Sequence, residues 1–516
     1  MRSRVFFAAI GLLLSQTVPG LASASAGRTP GKRSLLPRGI KSHDHPNPDL
    51  VSNGTFDQLL DHSDPGKGTF KQRYWWDAKS WAGPGSPVFV LNVGEQNADG
   101  FQGYLDNGTV PGLYADTFNG AVIVIEHRYW GESIPFDTLT AETLQYLDVP
   151  QSVMDMTYFA KTVPLEFDDS NGGANAPNAP WVLIGGSYPG ALAAWTQQLD
   201  PGTFWAYHAT SAVVEAIYDF YPYYDAVTAA IPQNCSNDVK AVIKYVDWIF
   251  ANGTQADQTK LKELFGLGML DHADDFAQQL TTPLAAWQES EEQVFQFCDY
   301  IENSAASSGK VVQGHGAGVG LDTALVAYAE YIAKNVAPGC ASGGCNTYNT
   351  STVWNTPDVL DGDRQWIWLL CHNPFAWWQV GPPAADGQHV VSSYLRPEHD
   401  QRQCAAAFPE TNGFQCGSVE GFTTEHLNYY TGGWDADFER VLFVNGEFDP
   451  WYPATVQSSY RNGGPRQSTD KMPIVEIPGG NHCPDLVISS QNEKYVQQEL
   501  EIMGKWLSEW TKPSKQ

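Results

Sequence analysis

Positive charge is scarce in this chain. Lysine and arginine number 30 against 58 aspartates and glutamates, a formal net charge of −28 over 516 residues. A surface of that sign repels phosphate backbones and anionic bilayers, so neither nucleic acid nor membrane is expected as a partner. Long apolar runs are missing too. Beyond the amino terminus nothing approaches the roughly 18 uninterrupted apolar residues of a membrane-crossing helix. The eight cysteines show no paired short spacings of the kind that bind zinc. No metal and no cofactor is expected, and no internal repeat is evident.

What is present points to export. Met1-Arg2-Ser3-Arg4, the apolar run Val5 to Leu14 and then Ala22-Ser23-Ala24 read as a signal peptide over 1–24. Residues 25–45 are rich in Pro, Gly and base and read either as a propeptide, with Lys32-Arg33 as a processing site, or as a plain leader. The even cysteine count suggests four disulfides, with Cys340–Cys345 and Cys371–Cys404 as local guesses. Asn53, Asn107, Asn234, Asn252 and Asn349 head Asn-x-Ser/Thr sequons and are candidate glycosylation sites. The expected location is extracellular, with an acidic vacuolar or lysosomal-type compartment as a candidate stage on the way. Near pH 4 to 5 the many carboxylates gain protons and self-repulsion falls, so an acidic working environment fits the composition.

The chemistry starts at Ser187. It lies in Gly185-Gly186-Ser187-Tyr188-Pro189-Gly190, after the apolar run Trp181–Ile184 and before the helix-like Ala191–Trp195. A strand, a tight turn carrying one serine and a helix make a nucleophile elbow. The match to Gly-x-Ser-x-Gly is imperfect, because Pro189 takes the last glycine's place and Gly190 comes one later. An acid and a histidine follow in the order such a fold requires. Strand-like Arg440–Gly446 leads to Asp449, and strand-like Pro473–Pro478 leads to Gly479-Gly480-Asn481-His482. Serine needs a base to take its proton, and imidazole needs a carboxylate to fix its tautomer. No other histidine follows Asp449, whereas Glu447 and Asp485 compete with Asp449 for the acid's role.

The pattern of elements predicts an α/β fold: an α/β-hydrolase sheet with a large, mainly helical cap inserted between elbow and acid. The expected division is 46–214 for the first part of the hydrolase domain, 215–362 for the cap and 363–516 for the second part. Phe70–Trp76 alternates as an exposed strand does. Val88–Val93, Ala121–Ile125 and Tyr207–Val214 read as further strands, and Ser152–Val163 as a helix. Within the cap, helices are expected over Asp238–Ala251, Leu284–Ile301 and Leu321–Val336. A last helix is expected over Glu493–Trp510.

Several blocks resemble one family. Leu60-Asp61-His62 with Arg73-Tyr74-Trp75, the run Glu126-His127-Arg128-Tyr129-Trp130-Gly131-Glu132-Ser133, Gly185–Tyr188, and Asn445-Gly446-Glu447-Phe448-Asp449-Pro450-Trp451 are similar to the lysosomal Pro-X carboxypeptidase family of serine peptidases. That family includes prolyl carboxypeptidase and dipeptidyl peptidase II, and Pro189 places the resemblance nearest the secreted fungal acid prolyl endopeptidases. The resemblance implies cleavage on the carboxyl side of proline, at acid pH, by a Ser187–His482–Asp449 triad. It implies oxyanion donors from Tyr188 and the Gly94-Glu95 turn, and for Glu95 a second role holding substrate. It places Trp451 beside the proline pocket, with Phe375 and Trp377 as candidates for the opposite wall. An Arg128–Glu132 pair would brace the site. Endopeptidase is the first reading. An exopeptidase of the same family and a non-catalytic binding protein on a hydrolase fold remain open, as does monomer against homodimer.

Overall fold

The computed structural model describes residues 52–307, 317–341, 343–348, 362–383 and 388–512. The signal and leader expectations, and Asn349, lie outside them.

The core is a mixed eight-stranded sheet. Its strands are β1 (Ser52–Leu59), β2 (Thr69–Asp77), β3 (Val88–Asn92), β4 (Ala121–Ile125), β5 (Trp181–Gly186), β6 (Ala206–Thr210), β9 (Val441–Gly446) and β10 (Ile474–Ile477), in the order β1-β2-β4-β3-β5-β6-β9-β10. From β4 to β10 the pairing is parallel, while β1–β2 and β2–β4 are antiparallel. Every residue of β3, β4, β5, β6 and β9 is buried. Those strands read as unbroken apolar runs because helices cover both faces of a parallel sheet.

On one face Val88, Val90, Leu183 and Trp181 pack with Val153 and Met156 of helix Val149–Thr162 and Leu192 and Trp195 of helix Tyr188–Leu199. On the other, Phe89, Leu91, Val182 and Val444 meet Tyr114 of helix Val110–Phe118 and Val496, Met503 and Trp506 of helix Glu493–Glu509. β2 keeps the exposure its alternation suggested only in part. Thr69 and Lys71 in its first half are exposed, but Trp75 and Trp76 are both buried, because separate apolar clusters cover the two faces of the sheet there.

The chain between β6 and β9 supplies the cap, with helices Tyr223–Ala230, Gln233–Asn252, Gln255–Leu264, Ala273–Ala285, Glu291–Ser307 and Leu321–Asn335. The helix expected over Leu284–Ile301 is broken. Pro283 lacks an N–H, the first helix ends at Ala285, a 3-10 turn occupies Ala286–Gln288, and a new helix starts at Glu291. A short parallel pair, β7 (Ile217–Asp219) with β8 (Ala376–Trp378), joins the start of this region to the segment after residue 362.

Three disulfides are present, not four. Cys235–Cys298 ties two cap helices, and Cys340–Cys345 and Cys371–Cys404 close local loops. Cys416 and Cys483 are free and buried. Cys483 follows His482 beyond the carboxyl end of β10, and the Cys416 sulfur lies near the Cys404 carbonyl and the Ser418 hydroxyl. Among the described residues no helix is long and apolar enough to cross a membrane.

Candidate active site

Ser187 stands where β5 turns into helix Tyr188–Leu199, with φ 64° and ψ −127°. A non-glycine residue keeps that conformation only when its surroundings over-determine it. They do so here. The Ser187 N–H donates to the Thr210 carbonyl at 2.9 Å, pinning the turn to β6. A Cβ on Gly185 would sit 2.1 Å from the Pro189 carbonyl oxygen, and one on Gly190 would sit 2.7 Å from the Thr210 carbonyl oxygen. The glycines needed are therefore 185 and 190, which is why proline is tolerated at 189. Its missing N–H falls in the first helical turn, where none is required.

Asp449 and His482 follow the carboxyl ends of β9 and β10, the strands beyond β6 in sheet order. His482 Nδ1 donates to Asp449 Oδ1 at 2.8 Å, and the same oxygen accepts the Trp451 amide at 2.9 Å. The two competing acids are engaged elsewhere. Glu447 accepts the Gly479 amide, and Asp485 accepts from His208 Nε2 at 2.7 Å and from the Thr210 hydroxyl. Within this trio, Ser187 Oγ, His482 Nε2 and Asp449 Oδ2 are buried and take no hydrogen bond from the protein. Buried groups normally find partners. A free hydroxyl and a free ring nitrogen at one sheet edge, the ring's other nitrogen held by a carboxylate, is the equipment of acyl transfer.

The Tyr188 amide opens the elbow helix. Its side chain points away, the phenol meeting His127 Nε2 at 3.0 Å. Burial keeps His127 neutral, with a pKa lowered to about 4. The Gly94-Glu95 turn lies against the elbow from the other side. Gly94 has φ +72°, its amide donates to Asn92 Oδ1, and a Cβ there would meet Pro189 Cγ at 2.2 Å. Glu95 is buried and neither carboxyl oxygen has a hydrogen-bond partner. Desolvation raises its pKa to about 8, so it is a neutral acid through the acid and neutral range.

An aromatic wall runs from the elbow helix to the histidine. Trp195 stacks on Phe375, Phe375 on Trp377 (centroids 4.7 Å, planes 19° apart), and Trp377 meets Trp451 edge to face at 5.8 Å. The Trp451 ring centroid is 6.3 Å from that of His482. Ala376 and Trp377 both have positive φ, 55° and 48°, and the Trp377 indole N–H donates to the Glu215 carbonyl at 2.6 Å. Phe220 and Tyr223 pack on Trp451 from the cap side. Nothing local in the sequence marked those two, because they come from a segment more than 200 positions away.

The Arg128–Glu132 pair is not formed. Arg128 is fully buried and binds Asp155 through Nε (2.7 Å) and Nη2 (2.5 Å), whereas Glu132 is exposed and pairs with Arg73 at 3.4 Å. The buried carboxylate of that block is Glu126, which accepts from Arg73, Ser133 and the Ala98 amide. Among the sequons, Asn53, Asn107 and Asn252 are exposed and Asn234 is half-buried beside the Cys235 disulfide.

A family model described as "Serine carboxypeptidase S28" matches residues 58–500. "Serine protease vicPa" and "Serine protease vicPb" of Bipolaris victoriae are 37% and 36% identical to this chain over 482 and 480 residues, 89% of each chain in both cases. A "Probable extracellular serine carboxypeptidase" of Arthroderma benhamiae is 28% identical over 80% of this chain and 59% of its own length. The chain belongs to the serine carboxypeptidase S28 family of serine peptidases.

Proposed function

We propose that this protein is a secreted serine peptidase that hydrolyses peptide bonds on the carboxyl side of proline, alanine more slowly, at acid pH and as an endopeptidase. Ser187 Oγ attacks the proline carbonyl while His482 Nε2 takes its proton, and Asp449 steadies the imidazolium. The oxyanion is received by the Tyr188 amide and the Gly94-Glu95 turn. Collapse breaks the peptide bond, the leaving amine takes the proton from His482, and water hydrolyses the prolyl ester by the same steps in reverse.

The observation that carries the proline reading is the wall Phe375–Trp377–Trp451 ending on His482. Proline offers a flat apolar ring and no N–H, and stacked aromatic faces suit that shape. Acid operation is supported by buried acids that stay protonated, Glu95 to about pH 8, Glu215 to about 7 and Asp148 to about 6. The substrates are proline-containing peptides or proteins, and the sequons are proposed to carry glycans.

Carboxypeptidase action is the second reading, favoured by the description of the matching family and the name of the Arthroderma relative. Incubating a peptide with an internal proline, acetylated and amidated at its ends, near pH 4.5 and reading products by mass spectrometry decides between them. Cleavage after proline establishes an endopeptidase. Cleavage only once the carboxyl terminus is freed establishes a carboxypeptidase, and only once the amine is freed, a dipeptidyl peptidase.

A further inference from the structure

The cap reaches the triad through two consecutive residues. Trp287 and Gln288 lie on the 3-10 turn Ala286–Gln288, where the helix containing Pro283 gives out. The Trp287 indole N–H donates to the Phe448 carbonyl at 2.9 Å, and Phe448 immediately precedes Asp449. The Trp287 carbonyl accepts the Asn481 side-chain N–H at 2.8 Å, and Asn481 immediately precedes His482. Next along, Gln288 Oε1 accepts the Trp451 indole N–H at 2.8 Å and the Tyr223 hydroxyl at 3.2 Å. Trp287 itself is 1% exposed.

On their strand side, the loops after β9 and β10 are joined by backbone bonds from Glu447 to Ile477 and from Phe448 to Gly480. At their outer ends, where the reacting groups stand, the Asp449–His482 hydrogen bond joins them. Trp287 adds a bridge there from a different domain, one end on each loop.

We infer that Trp287 is a positioning residue for the Asp449–His482 pair, so that the seating of the cap and the competence of the triad are one event. It acts through the neighbours of the acid and the base, not on the reacting atoms. The inference rests on the triad reading given above. Misplacement of a catalytic group by about 1 Å costs on the order of a hundredfold in rate, so a bridge holding both loops has leverage out of proportion to two hydrogen bonds.

Two variants test it. Trp287→Phe keeps an aromatic ring and removes the indole donor, and Asn481→Asp removes the donor to the Trp287 carbonyl. Both are compared with the wild-type enzyme for kcat per titrated active site, KM, the rate of Ser187 labelling by a fluorophosphonate, and unfolding temperature. We expect kcat and labelling rate to fall about five- to tenfold in each, with KM within about twofold. The double variant should lose less than the product of the single losses, because both bonds belong to one bridge. Unchanged kcat per site and labelling rate, even with a lower unfolding temperature, would overturn the inference and leave Trp287 as packing. If Trp287→Phe does not fold, Asn481→Asp decides alone. Failure of the triad reading has a separate signature: wild-type Ser187 would not label at all.

Discussion

Replacing Glu95 by glutamine should flatten the dependence of stability on pH. Folded Glu95 keeps its proton to about pH 8, because burial penalises the charge far more than its own backbone N–H favours it, against an ordinary value of 4.5. In the unfolded chain that proton leaves near 4.5. Between the two values the folded state binds more protons than the unfolded one, so stability falls as pH rises through that window and levels off above it. At about 1.36 kcal/mol per unit, the loss from pH 4.5 to 8 is on the order of 5 kcal/mol. Unfolding entropy of about 2.1 cal/mol/K per residue makes 1 kcal/mol worth about 1 °C in a chain of 516 residues. Glu95→Gln, which cannot ionise, should therefore gain about 5 °C on the wild type between pH 4.5 and 8. The assay is thermal unfolding of both proteins in half-unit steps across that range. The amide brings two buried N–H donors of its own, but their cost is the same at every pH, so the slope carries the answer and the offset does not. Parallel curves would refute the reasoning, since they would mean that Glu95 does not titrate in this window.

Ser187→Ala should abolish peptide hydrolysis and fluorophosphonate labelling while leaving the unfolding temperature within about 2 °C, because the buried hydroxyl makes no hydrogen bond within the protein for the change to break; retained hydrolysis would remove Ser187 from the reaction. Trp451→Ala should cut kcat/KM on proline substrates far more than on alanine substrates, and equal losses would take Trp451 out of the pocket. Asp155→Ala strands the buried Arg128 guanidinium and should cost about 3–5 kcal/mol, read by denaturant titration; a loss under about 1 kcal/mol would mean that the charge has found another partner. Lys67→Ala, by contrast, removes a half-exposed partner of Asp61 and should change stability by under about 1 kcal/mol in the same titration.

The parts of the site legible in the sequence were those encoded locally. Trp181–Ile184 and Val441–Val444 announce themselves as continuous apolar runs because central parallel strands are covered on both faces, whereas the edge strand Ile474–Ile477 carries the exposed Glu476. Serine, acid and histidine each come within a few residues of a strand's carboxyl end, so their placement at one sheet edge, and the Asp449–His482 pairing there, followed from topology. Partner choice was not local. Arg128 has an acid four positions on, yet it pairs with Asp155 on a helix behind the sheet, because Glu132 lies on the exposed side of its loop. Cysteine parity likewise ignored place. Cys416 and Cys483 lie in different loops, so an even count did not make them a pair. The Trp287 bridge had no sequence signal, since it joins a cap turn to two loops more than 150 positions further on.

The contact of Pro189 with Gly94 closes off single-step change at the oxyanion turn. Any side chain at 94 collides with the proline ring, and shortening residue 189 first still leaves a backbone at φ +72° that L-residues resist by roughly 1–2 kcal/mol. A library randomised at position 94 alone should thus return glycine among its active members. Variation would have to enter at position 189, in the elbow helix, and only then spread to the turn. Evolvability here is ordered: one position holds the key to another that is far off in the chain and adjacent in space.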